Sequence, residues 1–140
     1  MVGFQMKTVH NLLKRDFESS IINKKYPNIT GMQRWIIGFL YEHKEDDIFQ
    51  RDLEEGFSIR RSTATGILQL MEKNGLVIRQ PVSHDARLKK LVLTPKAIEI
   101  QEMIIDEIQE NEKKLRREIS QEDLEVFLKV LKQIKKNLEG

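Results

Sequence analysis

The chain has 140 residues, of which 39% are hydrophobic and 33% are charged, and its formal net charge is +2. This composition is too apolar for a disordered chain, and no apolar run approaches the ~20 residues that a membrane helix needs. The chain contains no cysteine, which excludes disulfides, thiolate zinc sites and cysteine redox sensing. Residues 1–10 do not resemble a secretory signal, so we expect a cytoplasmic protein that forms one compact domain.

The first part of the chain predicts two long helices. Apolar residues recur every four positions from about Gln5 to Lys25, and Tyr26-Pro27 ends this first helix. The second helix begins at Thr30 with a predicted capping box, in which the Thr30 hydroxyl accepts from the Gln33 amide and the Gln33 side chain reaches back. Its body, Trp35 to Glu42, is apolar on most sides, which predicts a central core helix.

A helix-turn-helix is predicted next. A short helix from about Gln50 to Gly56 is followed, after a tight turn, by a helix from Arg61 to Asn74. In this motif the second helix enters the major groove of DNA with its N-terminal residues first. Its apolar stripe should face the core and comprises Ala64, Ile67, Leu68 and Met71.

A β-hairpin and two further helices complete the prediction. The strands are Leu76–Gln80 and Leu88–Leu93, with a turn-rich tip at Pro81–Arg87. Thr94-Pro95 begins a fifth helix that extends to about Arg117, and Ser120 caps the last helix. The predicted fold class is therefore mainly α with a small β-hairpin wing, a winged helix-turn-helix between N- and C-terminal helices.

Charge is unevenly distributed along the chain. The segment from Ser58 to Lys90 carries seven basic and two acidic residues, whereas the remainder is net acidic. A basic segment of this kind is expected on a surface that binds a polyanion, although chance clustering on a solvated surface gives the same count.

Candidate DNA contacts follow from the positions of polar residues. On the exposed side of the fourth helix these are Arg61, Ser62, Thr65 and Gln69, and the two hydroxyls have local capping as an alternative role. At the hairpin, Arg87 is a candidate for the minor groove, followed by Lys89 and Lys90. Asp85 should accept hydrogen bonds from Arg87 or from loop amides, and the alternative is a weak exposed salt bridge.

These residues resemble the MarR-type bacterial transcription regulators, and the resemblance covers nearly the whole chain. It is carried by five segments in order: Gln50–Leu53, Ser62–Thr65, Leu70–Val77, Asp85–Arg87 and Leu91–Thr94. The chain departs from the family pattern at four positions. Arg60 replaces a Ser or Thr cap, Glu54 and Ala97 replace common small residues, and Gly66 lies inside the recognition helix.

The resemblance implies a ligand-responsive repressor that binds a pseudo-palindromic operator as a homodimer. The family's DNA contacts carry over to Arg60, Arg61, Ser62, Thr63, Thr65, Asp85 and Arg87, and its phosphate contacts to Thr30 and Gln33. Residues 1–28 and 96–140 would form the dimer, and residues 29–95 would bind duplex DNA. Independently, the apolar stripes of the terminal helices need a cover, which a second copy or the chain's own domain could supply.

Other functions have less support in the sequence. No phosphate-binding loop, dinucleotide fingerprint or His-Glu-x-x-His motif is present, so we expect no enzyme and no cofactor. The three histidines, His10, His43 and His84, lack the spacing of helical metal ligands, so no metal site is expected, although His10 or His43 could line a ligand cavity.

Three questions stay open at this stage. A small, aromatic effector is compatible with a pocket floored by aromatic residues, for which the candidates are Phe17, Trp35, Phe39 and Tyr41, but aromatics at helical spacing usually belong to the core. The alternative function is a winged-helix module that binds a protein instead of DNA. Repression and activation are both compatible with the sequence.

Overall fold

A computed structural model describes all 140 residues, which form seven helices and one two-stranded antiparallel sheet. In chain order the elements are α1 (Val2–Glu18), α2 (Ile21–Lys25), α3 (Gly31–Glu42), α4 (Gln50–Phe57), α5 (Arg61–Lys73), β1 (Val77–Val82), β2 (Asp85–Leu93), α6 (Pro95–Arg116) and α7 (Gln121–Glu139). The predicted fold class is confirmed. None of the helices combines the length and hydropathy that a membrane span requires.

The predicted single helix from Gln5 to Lys25 is wrong, because the structure contains a break at Ser19-Ser20. Ser20 is extended, with φ −70° and ψ 151°, and its hydroxyl accepts a hydrogen bond from the Asn23 amide at 3.0 Å. A serine that bonds to the backbone in this way starts a new helix and competes with continuation of the previous one. Tyr26 ends α2 where the sequence indicated.

Only half of the capping box predicted for α3 is present. The Thr30 hydroxyl accepts from the Gln33 amide at 3.2 Å, as expected. The Gln33 side chain does not reach back, because it is only 2% exposed and its Oε1 has no hydrogen-bond partner. Gln33 lies on the buried side of α3, which also carries Ile36, Ile37 and Leu40.

The chain consists of two compact units, residues 1–103 and residues 104–140. The core of the first unit joins α3, α4, α5, the hairpin and the start of α6. Its fully buried side chains include Ile36, Ile37, Leu53, Leu68, Met71, Leu76 and Ile100. Burial of each such side chain contributes about 1.5–3 kcal/mol, so this core fixes the orientation of α5 and the hairpin.

The hairpin is longer and its turn shorter than predicted. The predicted seven-residue tip, Pro81–Arg87, is wrong, because only Ser83 and His84 lie between the strands. Pro81 pairs with Lys89, and the register shifts between Pro81 and Val82. A two-stranded sheet has only edge strands, where a proline without an N–H is tolerated.

The start of the second unit lies within α6, and its last helix begins as predicted. The Ser120 hydroxyl accepts from the Asp123 amide at 3.0 Å, and acidic residues occupy the first turn of α7. No residue of α7 is buried. Its apolar stripe is therefore exposed or half-buried in a single chain, and none of it is fully covered.

Candidate DNA-binding surface

The turn between α4 and α5 sets the start of the recognition helix. At the N-terminus of α4, the Phe49 amide donates to Asp52 Oδ2 at 2.8 Å. At its C-terminus, Ser58 adopts a left-handed conformation with φ 52°, and the Ile59 amide bonds to the Glu54 carbonyl at 3.0 Å. This left-handed residue ends α4 and turns the chain, so that only three residues separate α4 from α5.

The N-terminus of α5 is exposed and basic. Arg60 is the N-cap residue, and its side chain makes no capping hydrogen bond. The amides of the first turn therefore lack the side-chain acceptor that usually covers them, and they add to the positive end of the helix dipole. Arg60, Arg61, Ser62 and Thr63 are all exposed. This combination suits the binding of an anionic group such as a phosphate.

The two sides of α5 divide as the sequence indicated. Ala64, Leu68 and Met71 are buried, and Ile67 packs against the core as a partly buried side chain. The opposite side is exposed at Ser62 and Gln69, and Thr65 is half-buried at its edge. Gly66 lies on the exposed side, where an added Cβ would meet no atom within 4 Å. The fold itself therefore does not require glycine at this position.

At the wing, Asp85 holds Arg87. Oδ1 of Asp85 accepts from the Arg87 amide at 2.9 Å and from Arg87 Nε at 3.4 Å. Asp85 therefore accepts the hydrogen bonds that the sequence suggested, and its contact with Nε is also the exposed salt bridge that was the alternative. The Arg87 side chain is otherwise 93% exposed, so its guanidinium is presented to solvent from a strand near the tip.

Several cations of this region have no acidic partner. Among the seven basic residues between Ser58 and Lys90, Arg79, Arg87 and Lys90 form ion pairs with Glu72, Asp85 and Asp47. The remaining four form none, and these are Arg60, Arg61, Lys73 and Lys89. The uncompensated charge therefore lies on α5 and the wing, the two elements that the sequence assigned to DNA.

Of the two predicted phosphate contacts on α3, one has to be withdrawn. Thr30 is exposed and remains a candidate. Gln33 is buried, and a side chain that is only 2% exposed cannot reach a phosphate without leaving the core. The resemblance was misleading at this position because Gln33 lies on the side of α3 that packs into the core.

A polar network behind α5 includes residues that were not among the predicted contacts. Arg79 of β1 donates to Glu72 Oε1 of α5 at 2.7 Å and to Gln50 Oε1 of α4 at 3.5 Å. Nε2 of the Gln50 side chain donates in turn to Thr65 Oγ1 at 2.9 Å. The only signal in the sequence is that Glu72 and Arg79 have opposite charges on either side of the Asn74-Gly75 helix end.

The aromatic residues considered as a pocket floor are not brought together. Trp35 is 69% exposed, Phe39 stacks on His43 at a centroid distance of 4.4 Å, and Phe17 lies under the Arg34 guanidinium at 4.6 Å. Tyr41 alone lines a cavity of about 240 Å³, between the end of α3 and the hairpin. His43 also borders this cavity, and its Nδ1 lies 2.8 Å from the Phe39 carbonyl oxygen.

Known proteins resemble the chain in sequence and in fold. A model of the MarR family matches residues 28–88. The HTH-type transcriptional regulator FarR of Neisseria gonorrhoeae is 40% identical over 83 residues, which is 59% of this chain and 56% of that protein. This match therefore spans little more than half of the length of FarR.

Two solved structures extend the likeness to almost the full chain. The transcription regulator MarR of Oenococcus oeni PSU-1 is 34% identical, with a TM-score of 0.86 over 97% of this chain and 99% of that one. MepR of S. aureus, solved as a complex with DNA, has a TM-score of 0.87 over 99% and 96% of the two chains, and at 22% identity it shows the fold alone. The chain belongs to the MarR family of winged helix-turn-helix, DNA-binding transcription regulators and is not an enzyme.

Proposed function

We propose that the chain binds a pseudo-palindromic operator as a homodimer, with the start of α5 in the major groove and Arg87 in the minor groove. The observation that carries this proposal is the pair of exposed arginines, Arg60 and Arg61, at an uncapped helix N-terminus without any acidic partner. Two exposed positive charges beside the positive end of a helix dipole favour the binding of a polyanion.

The residues of α5 have separate proposed roles. Arg60 and the first-turn amides bind backbone phosphates, which fixes the position of the helix. Arg61 and Gln69 are long enough to read base edges, and arginine does so most often at guanine. Ser62, Thr63 and Thr65 supply hydroxyls to phosphates or bases. Gly66 allows close approach of the helix to DNA.

The wing has a complementary role. Asp85 bonds to the amide and to Nε of Arg87, and an arginine restrained in this way is suited to the narrow and strongly negative minor groove. Lys89, which follows on the same strand and is exposed, is assigned to a phosphate. Thr30, exposed at the start of α3, is assigned to another.

The homodimer is supported by exposed apolar side chains in both units. No residue of α1 is buried, although this helix carries Val2, Met6, Val9, Leu12 and Leu13. On α7, the exposed apolar residues include Phe127, Leu128 and Leu138. Monomeric proteins rarely leave such surface uncovered. We therefore assign dimerisation to the apolar sides of the helices in residues 1–28 and 96–140, which places two DNA-binding regions in two-fold symmetry and leaves the other sides of these helices outside the contact.

We also infer repression that a small effector relieves. An operator that overlaps a promoter would exclude RNA polymerase while the dimer is bound. A small molecule that binds better to a dimer with different spacing of its two α5 helices would release the DNA. Transcription from a promoter containing the recovered operator, measured with increasing protein, tests the repressor role directly.

The main test uses a pool of genomic duplex fragments and three proteins. Wild type, Arg87→Ala and the matched control Arg117→Ala, which removes an exposed arginine between α6 and α7, are compared. We expect wild type and Arg117→Ala to enrich the same near-palindrome and Arg87→Ala to bind it at least about tenfold more weakly. Binding should also fall about 10³-fold or more between about 50 and 200 mM salt.

A different result would favour a protein-interaction module. If wild type enriches no sequence and all three proteins bind equally weakly, the proposed DNA function is wrong for this chain. Removal of small molecules by unfolding and refolding before the experiment excludes release by a bound effector.

A further inference from the structure

A closed chain of hydrogen bonds begins and ends on the recognition helix. From Glu72 of α5 it passes to Arg79 of β1 at 2.7 Å, then to Gln50 of α4 at 3.5 Å. From Gln50 it returns to Thr65 of α5 at 2.9 Å. Glu72 and Thr65 are seven residues apart, two helical turns, and therefore lie on the same side of α5.

The network determines the orientation of the side-chain amide of Gln50. Oε1 of Gln50 faces the Arg79 guanidinium, which can only donate, so the amide nitrogen must point the other way. Nε2 of Gln50 then donates to Thr65 Oγ1 and, at 3.4 Å, to the Arg61 carbonyl oxygen. Arg79 is itself held by its short ion pair with Glu72.

Gln50 thereby changes what the Thr65 hydroxyl can do. A threonine inside a helix commonly donates its hydroxyl hydrogen to the carbonyl four residues earlier, which here is that of Arg61. Nε2 of Gln50 donates to that carbonyl oxygen and also to the hydroxyl oxygen of Thr65. The Thr65 hydroxyl donates no hydrogen bond to a backbone carbonyl, so its hydrogen is available to an acceptor at the edge of the exposed side of α5.

We propose that Gln50 is a specificity-determining positioning residue, which makes Thr65 a hydrogen-bond donor to a base in the major groove. A donor selects the acceptors N7 and O6 of guanine, N7 of adenine or O4 of thymine, and it disfavours the amino groups of cytosine and adenine. Gln50 itself touches no DNA in this role. The inference rests on the proposed function, because it requires that α5 lies in the major groove.

The experiment selects bound duplexes from a random-sequence pool and compares base preferences at every operator position. The proteins are wild type, Gln50→Ala, Gln50→Glu, Thr65→Val, the double variant Gln50→Ala with Thr65→Val, and the control Gln109→Ala, an exposed glutamine on α6. Thermal unfolding of each protein shows that it is folded. The readout is preference at single positions, because a purely structural defect would lower affinity for all sequences equally.

We expect Thr65→Val and Gln50→Ala to lose about threefold to tenfold of discrimination at the same base pair of each half-site, as one hydrogen bond implies. The double variant should lose no more than Thr65→Val alone. In Gln50→Glu the carboxylate can only accept, so Thr65 would donate to it and present its oxygen to DNA. The preference at that base pair should then shift toward an amino group.

Two results would overturn the inference, and they are distinguishable. If wild type enriches an operator but Gln50→Ala and Gln50→Glu retain its base preferences, Gln50 does not control Thr65, and the proposed function stands. If wild type and Gln109→Ala enrich no sequence at all, the proposed function fails, and the inference fails with it.

Discussion

Asp85 sets two physical effects against each other at the wing. Its carboxylate would be repelled by DNA, so charge alone predicts tighter binding after its removal. However, it holds the Arg87 amide and guanidinium, and a free arginine side chain loses about 2 kcal/mol of rotamer entropy when it is ordered. We expect Asp85→Ala to weaken operator binding by about threefold to tenfold, measured by fluorescence anisotropy at fixed salt.

The companion variant Asp85→Asn separates the two effects. It keeps the oxygen that accepts from the Arg87 amide and removes the negative charge, so its affinity should equal or exceed that of wild type. Tighter binding by Asp85→Ala than by wild type would show that repulsion by the carboxylate outweighs the ordering of Arg87.

The presence of a glycine at position 66 is not explained by the fold. An alanine there should stabilise α5 by about 0.5–1 kcal/mol, because glycine is a poor helix former and the new methyl group meets nothing within 4 Å. We expect Gly66→Ala to raise the free energy of unfolding in urea and to weaken operator binding at the same time. A gain in stability together with a loss of DNA affinity would identify a glycine that is kept for close approach to DNA.

Gly3→Ala is the matched control for this substitution. Gly3 also lies in a helix and also has open space around an added Cβ. Because it lies in the first turn of α1, it should gain less stability than Gly66→Ala, and it should not lose DNA affinity. If Gly66→Ala binds the operator as tightly as wild type does, close approach at this position is not needed.

At the scale of elements, the break between α1 and α2 depends on one hydroxyl. Ser20 Oγ accepts from the Asn23 amide at 3.0 Å and from Arg34 Nη1 of α3 at 3.4 Å. Loss of an N-cap costs typically about 1 kcal/mol, so Ser20→Ala should lower the free energy of unfolding by about that amount in urea titrations. Ser83→Ala, at the exposed turn of the hairpin, is the control and should change stability by less than about 0.5 kcal/mol. If Ser20→Ala is as stable as Ser83→Ala, the Ser20 cap does not stabilise the break between α1 and α2.

Helix starts illustrate which features of the fold a sequence determines locally. The caps at Thr30, Thr94 and Ser120 were predictable because the hydroxyl and the amide it binds lie within three residues of each other. Ser20 makes the same bond, but the four-residue apolar repeat runs through it and predicts one continuous helix. Two local signals conflicted there, and in the structure the serine cap prevails over the apolar repeat.

Features that depend on tertiary packing were not predictable in the same way. Gln33 is polar and next to a helix start, and nothing nearby indicates that this side of α3 is buried. The candidate DNA-binding surface also contains both locally predictable residues and residues that only tertiary packing brings together. The exposed arginines and the Asp85–Arg87 pair follow from local pattern, whereas the link from Gln50 through Arg79 to Glu72 joins residues up to 29 positions apart.

At the scale of the whole molecule, the exposed apolar side of α1 is the feature that a single chain leaves unexplained. Leu13 and Val9 lie one turn apart on this side, and Asn11 lies on the opposite side of the helix. A dimer buries such residues and links folding to assembly, so stability then depends on protein concentration. A two-fold dimer would also present two copies of α5 to the DNA, which predicts half-sites about 10 base pairs apart.

We therefore expect wild type to sediment at twice the chain mass of 16.5 kDa and to unfold at a temperature that rises with protein concentration. Leu13→Glu places a charge in the proposed interface and should give a monomer that unfolds at a lower, concentration-independent temperature and loses operator binding. Asn11→Glu adds the same charge on the opposite side of α1 and should stay dimeric and bind DNA. If both variants sediment as wild type does, α1 lies outside the interface, and the exposed apolar residues of α7 become the remaining candidates for the contact between the two copies.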